Sequence, residues 1–304
     1  MIRLPEALPR PGPAQASQRS GPLPPVTVHV FNDIACPWCH IGARRLQRAV
    51  RQYKRRFGQA APVKLQWNPL LVDSEVMSAG EEVNSYAQRR WGLGSVDPLH
   101  ARLVRAGLPE GATFSNWTTM PNSLMALELI SLAADMGLAE QASDLLFART
   151  YELGGNVSLL SELLDIGESL GMGMSRGDLG RELTRSDGDS LRAGVLERDA
   201  TAKRSGSHSV CYRNHHQQQQ QQLRDILCYR LRIHAVPHFI ISAGPKCRTK
   251  YSLNGAHQTS DLVGAMERVA MEEARAAAAA TGMPYGGAVA AAAAGSTSSV
   301  LIAI

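Results

Sequence analysis

A short β-branched run, Val26-Thr27-Val28-His29-Val30-Phe31, stops at Asp33, and three residues on Cys36-Pro37-Trp38-Cys39 opens a stretch with a helical repeat. This junction constrains the fold most, because a buried strand feeding an amphipathic helix leads to layers of helix on sheet. From about Pro37 to Phe57, Ile41, Leu46, Ala49, Val50 and Tyr53 give an apolar face of roughly 3.6-residue period. Val63 to Trp67 alternates as a second strand ahead of Pro69. From Ser74 to about Leu183 the period is helical almost throughout, as in Ser123 to Met136, Glu140 to Tyr151 and Leu159 to Leu170. A further helix is expected over Val195 to Lys203, then a strand Pro237 to Ser242 and a paired strand Lys250 to Leu253. The last helix is expected from about Ser260 to Ala274, with Thr259 or Ser260 as its cap. The order reads as one small α/β lobe interrupted by an all-helical one.

With 304 residues, 44% of them hydrophobic, the chain can bury such a core. Seven of its 16 prolines lie in the first 25 residues, so residues 1–25 are expected to form a disordered arm. The α/β lobe then occupies 26–73 and 188–274, and the inserted helical domain 74–187. Inside the second half, 207–229 reads as a low-complexity insertion carrying Cys211, His215, His216, six consecutive glutamines and Cys228. Residues 275–304, rich in alanine and without charge from Ala276 on, are expected to be disordered. The formal charge of +5 is too small and scattered to argue for nucleic acid, and no run of 18 apolar residues supports a membrane span. The expected location is cytoplasmic. An organelle is the alternative, because Arg3, Arg10 and Arg19 stand against the single acid Glu6 in the arm.

Five cysteines are too few for a secreted disulfide framework. Cys36 and Cys39 stand out by their placement. Unpaired N–H groups and the dipole at a helix start favour an anion, so the first sulfur is expected to be held as thiolate, with the second one turn on. That arrangement suits thiol–disulfide exchange, Cys36 attacking and Cys39 resolving. Pro37 fits the first turn, where its missing N–H is not needed. Arg44, Arg45, Arg48, Arg51, Lys54, Arg55, Arg56 and Lys64 follow with no acid between Asp33 and Asp73, which would bias Cys36 further, unless they form only a solvated helix face. Three other readings stay open. Cys36, Cys39 and His40 spell the C-x-x-C-H haem attachment pattern; the pair could ligate zinc with other cysteines, Cys247 among them; or both thiols could be inert and buried.

The segment Asn32-Asp33-Ile34-Ala35-Cys36-Pro37-Trp38-Cys39-His40-Ile41-Gly42 resembles the opening of the FrnE-like branch of the DsbA-type thioredoxin-fold oxidoreductases. Gln66-Trp67-Asn68-Pro69, Pro121-Asn122-Ser123, Phe147 to Gly155, Val236-Pro237-His238-Phe239-Ile240 and Ser252 to Gln258 extend the likeness over about Val26 to Ala274. The resemblance implies an α/β thioredoxin fold with an inserted all-helical domain. It also implies a redox pair Cys36/Cys39 and a cis-proline at Pro237 facing it, although by itself Pro237 reads equally as a trans residue at a strand start. Val236 would offer backbone hydrogen bonds to an extended substrate, with Trp38 and Pro37 lining the groove. The implied activity is protein-disulfide oxidation, reduction or isomerisation on protein or small-thiol substrates, with no resident cofactor and glutathione as a candidate co-substrate. A homodimer is compatible with it. His40 replaces an aromatic Tyr and would either modulate the pair or face solvent; Leu127 and Glu128 replace His and Arg. The related kappa-class glutathione transferases and 2-hydroxychromene-2-carboxylate isomerases carry Ser where this chain has Cys36, and define the alternative activity. A non-enzymatic peptide-binding protein is the other.

Overall fold

The computed structural model describes residues 23–58, 62–187, 190–203, 233, 235–245 and 250–281. The expectations for residues 1–22, for the insertion at 207–229, for Cys247 and for the tail beyond 281 lie outside these residues.

The main sheet among the described residues mixes parallel and antiparallel strands. Strand β1 (Val26–Asn32) runs parallel to β2 (Val63–Pro69), Val26 opposite Val63 and Asn32 opposite Pro69. β5 (His238–Ala243) lies antiparallel on the other side of β1, and β6 (Lys250–Asn254) antiparallel to β5. The parallel pair needs a crossover, which α1 (Pro37–Phe57) supplies. Alternation along β1 divides the core. Val26, Val28 and Val30 meet Leu46, Ala49 and Tyr53 of α1 and Leu262, Met266 and Val269 of the last helix, α9 (Thr259–Thr281). Phe31 belongs instead to the larger core shared with the helical domain. Each fully buried side chain of this size contributes about 1.5–3 kcal/mol.

The helical domain spans α2 (Val83–Trp91), α3 (Asp97–Gly107), α4 (Leu124–Asp135), α5 (Ala139–Phe147), α6 (Leu160–Leu170) and α7 (Arg176–Thr184). The chain returns through α8 (Leu191–Lys203), and α4 and α8 both pack on β2. This is an α/β fold with an inserted helical domain, as the element order implies.

Three details depart from the expectation. The domain is not wholly helical: Glu81–Glu82 (β3) pairs antiparallel with Thr119–Met120 (β4), a pairing too short to leave a periodic signature. The stretch to Tyr151 is not one helix, since α5 ends at Phe147 and Ala148–Glu152 widens to a π-helix, a form common at functional positions. Finally, α9 continues past Ala274 to Thr281, because alanine has the strongest intrinsic helix propensity. Among the described residues no helix is long and apolar enough to cross a membrane.

Candidate active site

Cys36 is the N-cap of α1, in extended conformation, with Pro37 next to it in the first helical turn. The turn before it is fixed by Asp33. The Asp33 backbone carbonyl accepts the Cys36 N–H at 3.2 Å, and its carboxylate accepts the N–H of Ala35 at 3.0 Å and of Val72 at 2.6 Å. One buried acid thus ties the end of β1, the helix start and the segment after β2. Burial raises the Asp33 carboxyl above its ordinary value, against hydrogen bonds from Ser123, Val72 and Ala35 and the charge of Lys203.

Both cysteines are free thiols and nearly enclosed, Cys36 at 3% exposure and Cys39 at 1%. Burial pushes the Cys39 thiol well above its ordinary value, and its hydrogen bond with Cys36 and the charge of Asp33 act in the same direction. The Cys36 thiol donates to the Val236 carbonyl at 3.6 Å. The Val236–Pro237 peptide is cis. Gly42 lets α1 approach this loop: a Cβ there would lie 2.6 Å from Pro237 Cγ. The structure therefore brings together Cys36, Cys39, Pro37, Val236 and Pro237, with Trp38 half-buried beside them.

His40 does not face solvent. It is 1% exposed, its ring packed among Phe114, Phe147 and Tyr151, with Nε2 3.1 Å from Glu152 Oε1. Burial lowers the imidazole below its ordinary value and outweighs the opposing pull of Glu152, so the contact is a neutral ring donating Nε2–H to a carboxylate. Burial would raise Glu152, but hydrogen bonds from His40, Thr113 and Phe114 prevail and bring it down to about 2. Tyr151, one residue before Glu152, donates its hydroxyl to the Ile34 carbonyl at 2.8 Å, so the π-helix grips both sides of the cysteine motif.

Glu152, whose folded value lies below the ordinary 4.5, contributes stability that is complete above pH 4.5 and is lost as pH falls toward 2. His40, also lowered, adds a loss as pH falls below its ordinary 6.5. Urea midpoints measured from pH 6 to 2.5 should fall steeply below pH 4.5, and Glu152→Gln should flatten that limb; an unchanged slope in the variant would contradict the assignment.

The arginine run is not merely a solvated face. Arg45 and Arg48 pair with Glu110 at 3.2 and 3.1 Å, and Arg56 with Glu267 at 2.6 Å. Leu127 is buried, and Glu128 pairs with Arg192 at 3.0 Å, joining α4 to α8. Sequence reasoning missed the structural parts played by Tyr151, Glu152, Gly42 and Arg45. The signals that touched them were the Ile-Gly after the cysteine pair and the Phe147 to Gly155 stretch, neither of which shows the partners.

A model of the DSBA-like thioredoxin domain matches residues 27–189, more than half of the chain. Among solved structures, the chain is similar to a protein of Streptomyces coelicolor assigned as a DsbA oxidoreductase. The identity is 18%, the TM-score 0.58, and the match covers 80% of this chain and 89% of that one. It is also similar to a 2-hydroxychromene-2-carboxylate isomerase, at 14% identity and a TM-score of 0.52, over 82% of this chain and 98% of that one. At these identities the likeness speaks to the fold alone. No curated protein matches the chain by sequence. By the extent of the matched domain, which takes in β1, the cysteine motif and the whole helical insertion, the chain belongs to the DSBA-like thioredoxin domain family.

Proposed function

We propose that the protein is a thiol–disulfide oxidoreductase or disulfide isomerase of the FrnE-like branch, acting on protein or small-thiol substrates through Cys36 and Cys39. The observation that carries this reading is the free Cys36 thiol at the start of a 21-residue helix, set against the Val236 carbonyl just ahead of Pro237. Negative charge on that sulfur meets the positive end of α1. The Cys36 sulfur attacks one sulfur of a substrate disulfide; that S–S bond breaks, the departing thiolate takes up a proton, and a mixed disulfide remains. Cys39 then gives up its proton and attacks the Cys36 sulfur, releasing the second substrate thiol and closing the Cys36–Cys39 disulfide. The substrate gains two electrons and the pair loses two, to be restored by an external dithiol or by glutathione. In the reverse direction the pair oxidises its substrate, and attack on the mixed disulfide by a different substrate thiolate forms a new substrate disulfide, releases Cys36 and so isomerises the substrate. Asp33, the buried acid whose charge acts on Cys39, is the candidate in this reading to take up the proton that Cys39 must lose.

The experiment is a paired assay. Insulin reduction by dithiothreitol should be accelerated, while glutathione conjugation to chlorodinitrobenzene should stay at background. The opposite pattern would assign the transferase activity instead.

A further inference from the structure

Arg45 lies two turns into α1, away from both sulfurs, and is 7% exposed. Its guanidinium makes three contacts on two sides. Nε meets Glu110 Oε1 at 3.2 Å and Nη2 donates to the Ala106 carbonyl at 3.3 Å, both in the segment that ends α3. On the other side Nη1 donates to the Ala256 carbonyl at 2.6 Å, in the turn between β6 and α9. The residue before Ala256 completes the connection: Gly255 N–H donates to the Pro237 carbonyl at 2.7 Å. Hydrogen bonds linked through the backbone of the 255–256 turn thus connect Glu110 and Arg45 to Pro237, next to the carbonyl that receives the Cys36 thiol. Gly42, one helical turn before Arg45, holds the same loop by close contact from the inner side.

We infer that Arg45 is a positioning residue: it transmits the placement of the 106–110 segment of the helical domain to the Val236–Pro237 loop and so sets the width of the substrate groove above Cys36. The chemistry requires arginine. Only a planar fork can meet a carboxylate and carbonyls in different directions at once, whereas a lysine ammonium offers a single point of charge. The Arg45 and Glu110 side chains are both nearly enclosed, so their charged hydrogen bond is of the stronger kind. A loop released from this tether presents the Val236 backbone to an extended substrate in a wider range of positions, which weakens binding before it slows chemistry.

The inference rests on the proposed exchange activity, and the test separates the two. Steady-state kinetics with insulin and with the small disulfide of oxidised glutathione are compared for wild type, Arg45→Lys, Arg45→Met and Gly42→Ala. Hydrogen exchange at Gly255 and its neighbours is followed in the same proteins. The expected result is a roughly tenfold rise in KM for insulin in Arg45→Met, a smaller one in Arg45→Lys, little change in kcat, and faster Gly255 exchange in both. Gly42→Ala, which displaces Pro237 from the other side, should raise the same KM. Should Arg45→Met fail to fold, Arg45→Lys and Gly42→Ala carry the test. An active wild type with unchanged insulin KM and unchanged Gly255 exchange in the variants overturns the role of Arg45. A wild type without exchange activity but with accelerated Gly255 exchange in the variants overturns the exchange reading and leaves the tether itself standing.

Discussion

Cys36→Ser should abolish insulin reduction, lowering the rate by on the order of a thousandfold or more, because Cys36 is the thiol at the start of α1 set against Val236 and makes the first attack in the proposed exchange. The serine hydroxyl is not ionised at neutral pH, and the helix start cannot compensate for a missing thiolate. Cys39→Ser should behave differently. It retains the attacking sulfur but lacks the resolving one, so a covalent complex with the substrate should accumulate and be visible by non-reducing electrophoresis or mass spectrometry. The contrast is informative because the structure gives the two thiols different surroundings: Cys36 caps the helix and reaches Val236, while Cys39 is buried behind it with its acidity suppressed. Equal behaviour of the two variants, or a Cys36→Ser protein as active as wild type, would contradict the assigned order of attack.

The second large effect concerns Asp33. In the proposed exchange, buried Cys39 loses a proton to complete turnover, and Asp33 is the buried acid whose charge acts on it. Asp33→Asn keeps the shape but cannot accept a proton, so turnover at pH 7 should fall roughly a hundredfold, the usual worth of a positioned acid or base. The deficit should shrink as pH rises and Cys39 ionises unaided. Stability should move the other way. The folded value of Asp33 lies above its ordinary 3.8, so its favourable contribution is complete below pH 3.8 and is lost as pH rises through the folded value. Wild type should therefore lose stability relative to Asp33→Asn between pH 4 and 8, by about 1.4 kcal/mol for each unit by which the fold raises the group. Urea titrations of both proteins at the two pH values check this. A difference that does not vary with pH, together with normal turnover, would remove Asp33 from the proton path.

The parts of this molecule legible in the sequence are those written in local period and local chemistry. Val26 to Phe31 followed by Cys36-Pro37-Trp38-Cys39 was enough to expect a strand, a helix and a reactive pair at their junction. The α1 boundaries, Pro37 and Phe57, agree with the apolar repeat. Val236-Pro237 was legible only through resemblance, since nothing local distinguishes a loop facing a cysteine from a strand start. The surroundings of the pair were harder to read, because their partners lie far along the chain. His40 meets Glu152 across 112 residues, Tyr151 reaches Ile34 across 117, and Arg45 reaches Ala256 across 211. A sequence shows a histidine after a cysteine pair, or an arginine in a basic run, without showing which lobe returns to meet it. That is why His40 could be read as solvent-facing, and Arg45 as one of eight interchangeable cations.

The central claim is that Cys36 and Cys39 form one reversible redox couple. The most direct measurement equilibrates the protein in glutathione buffers of graded poise, traps free thiols by alkylation, and identifies the peptide containing Cys36 and Cys39 by mass spectrometry. A reversible couple gives a single two-electron transition in which both sulfurs convert together, with a defined reduction potential and full recovery on reversal. Two cysteines that remain alkylatable at every poise, or that glutathionylate independently without closing a disulfide, would contradict it.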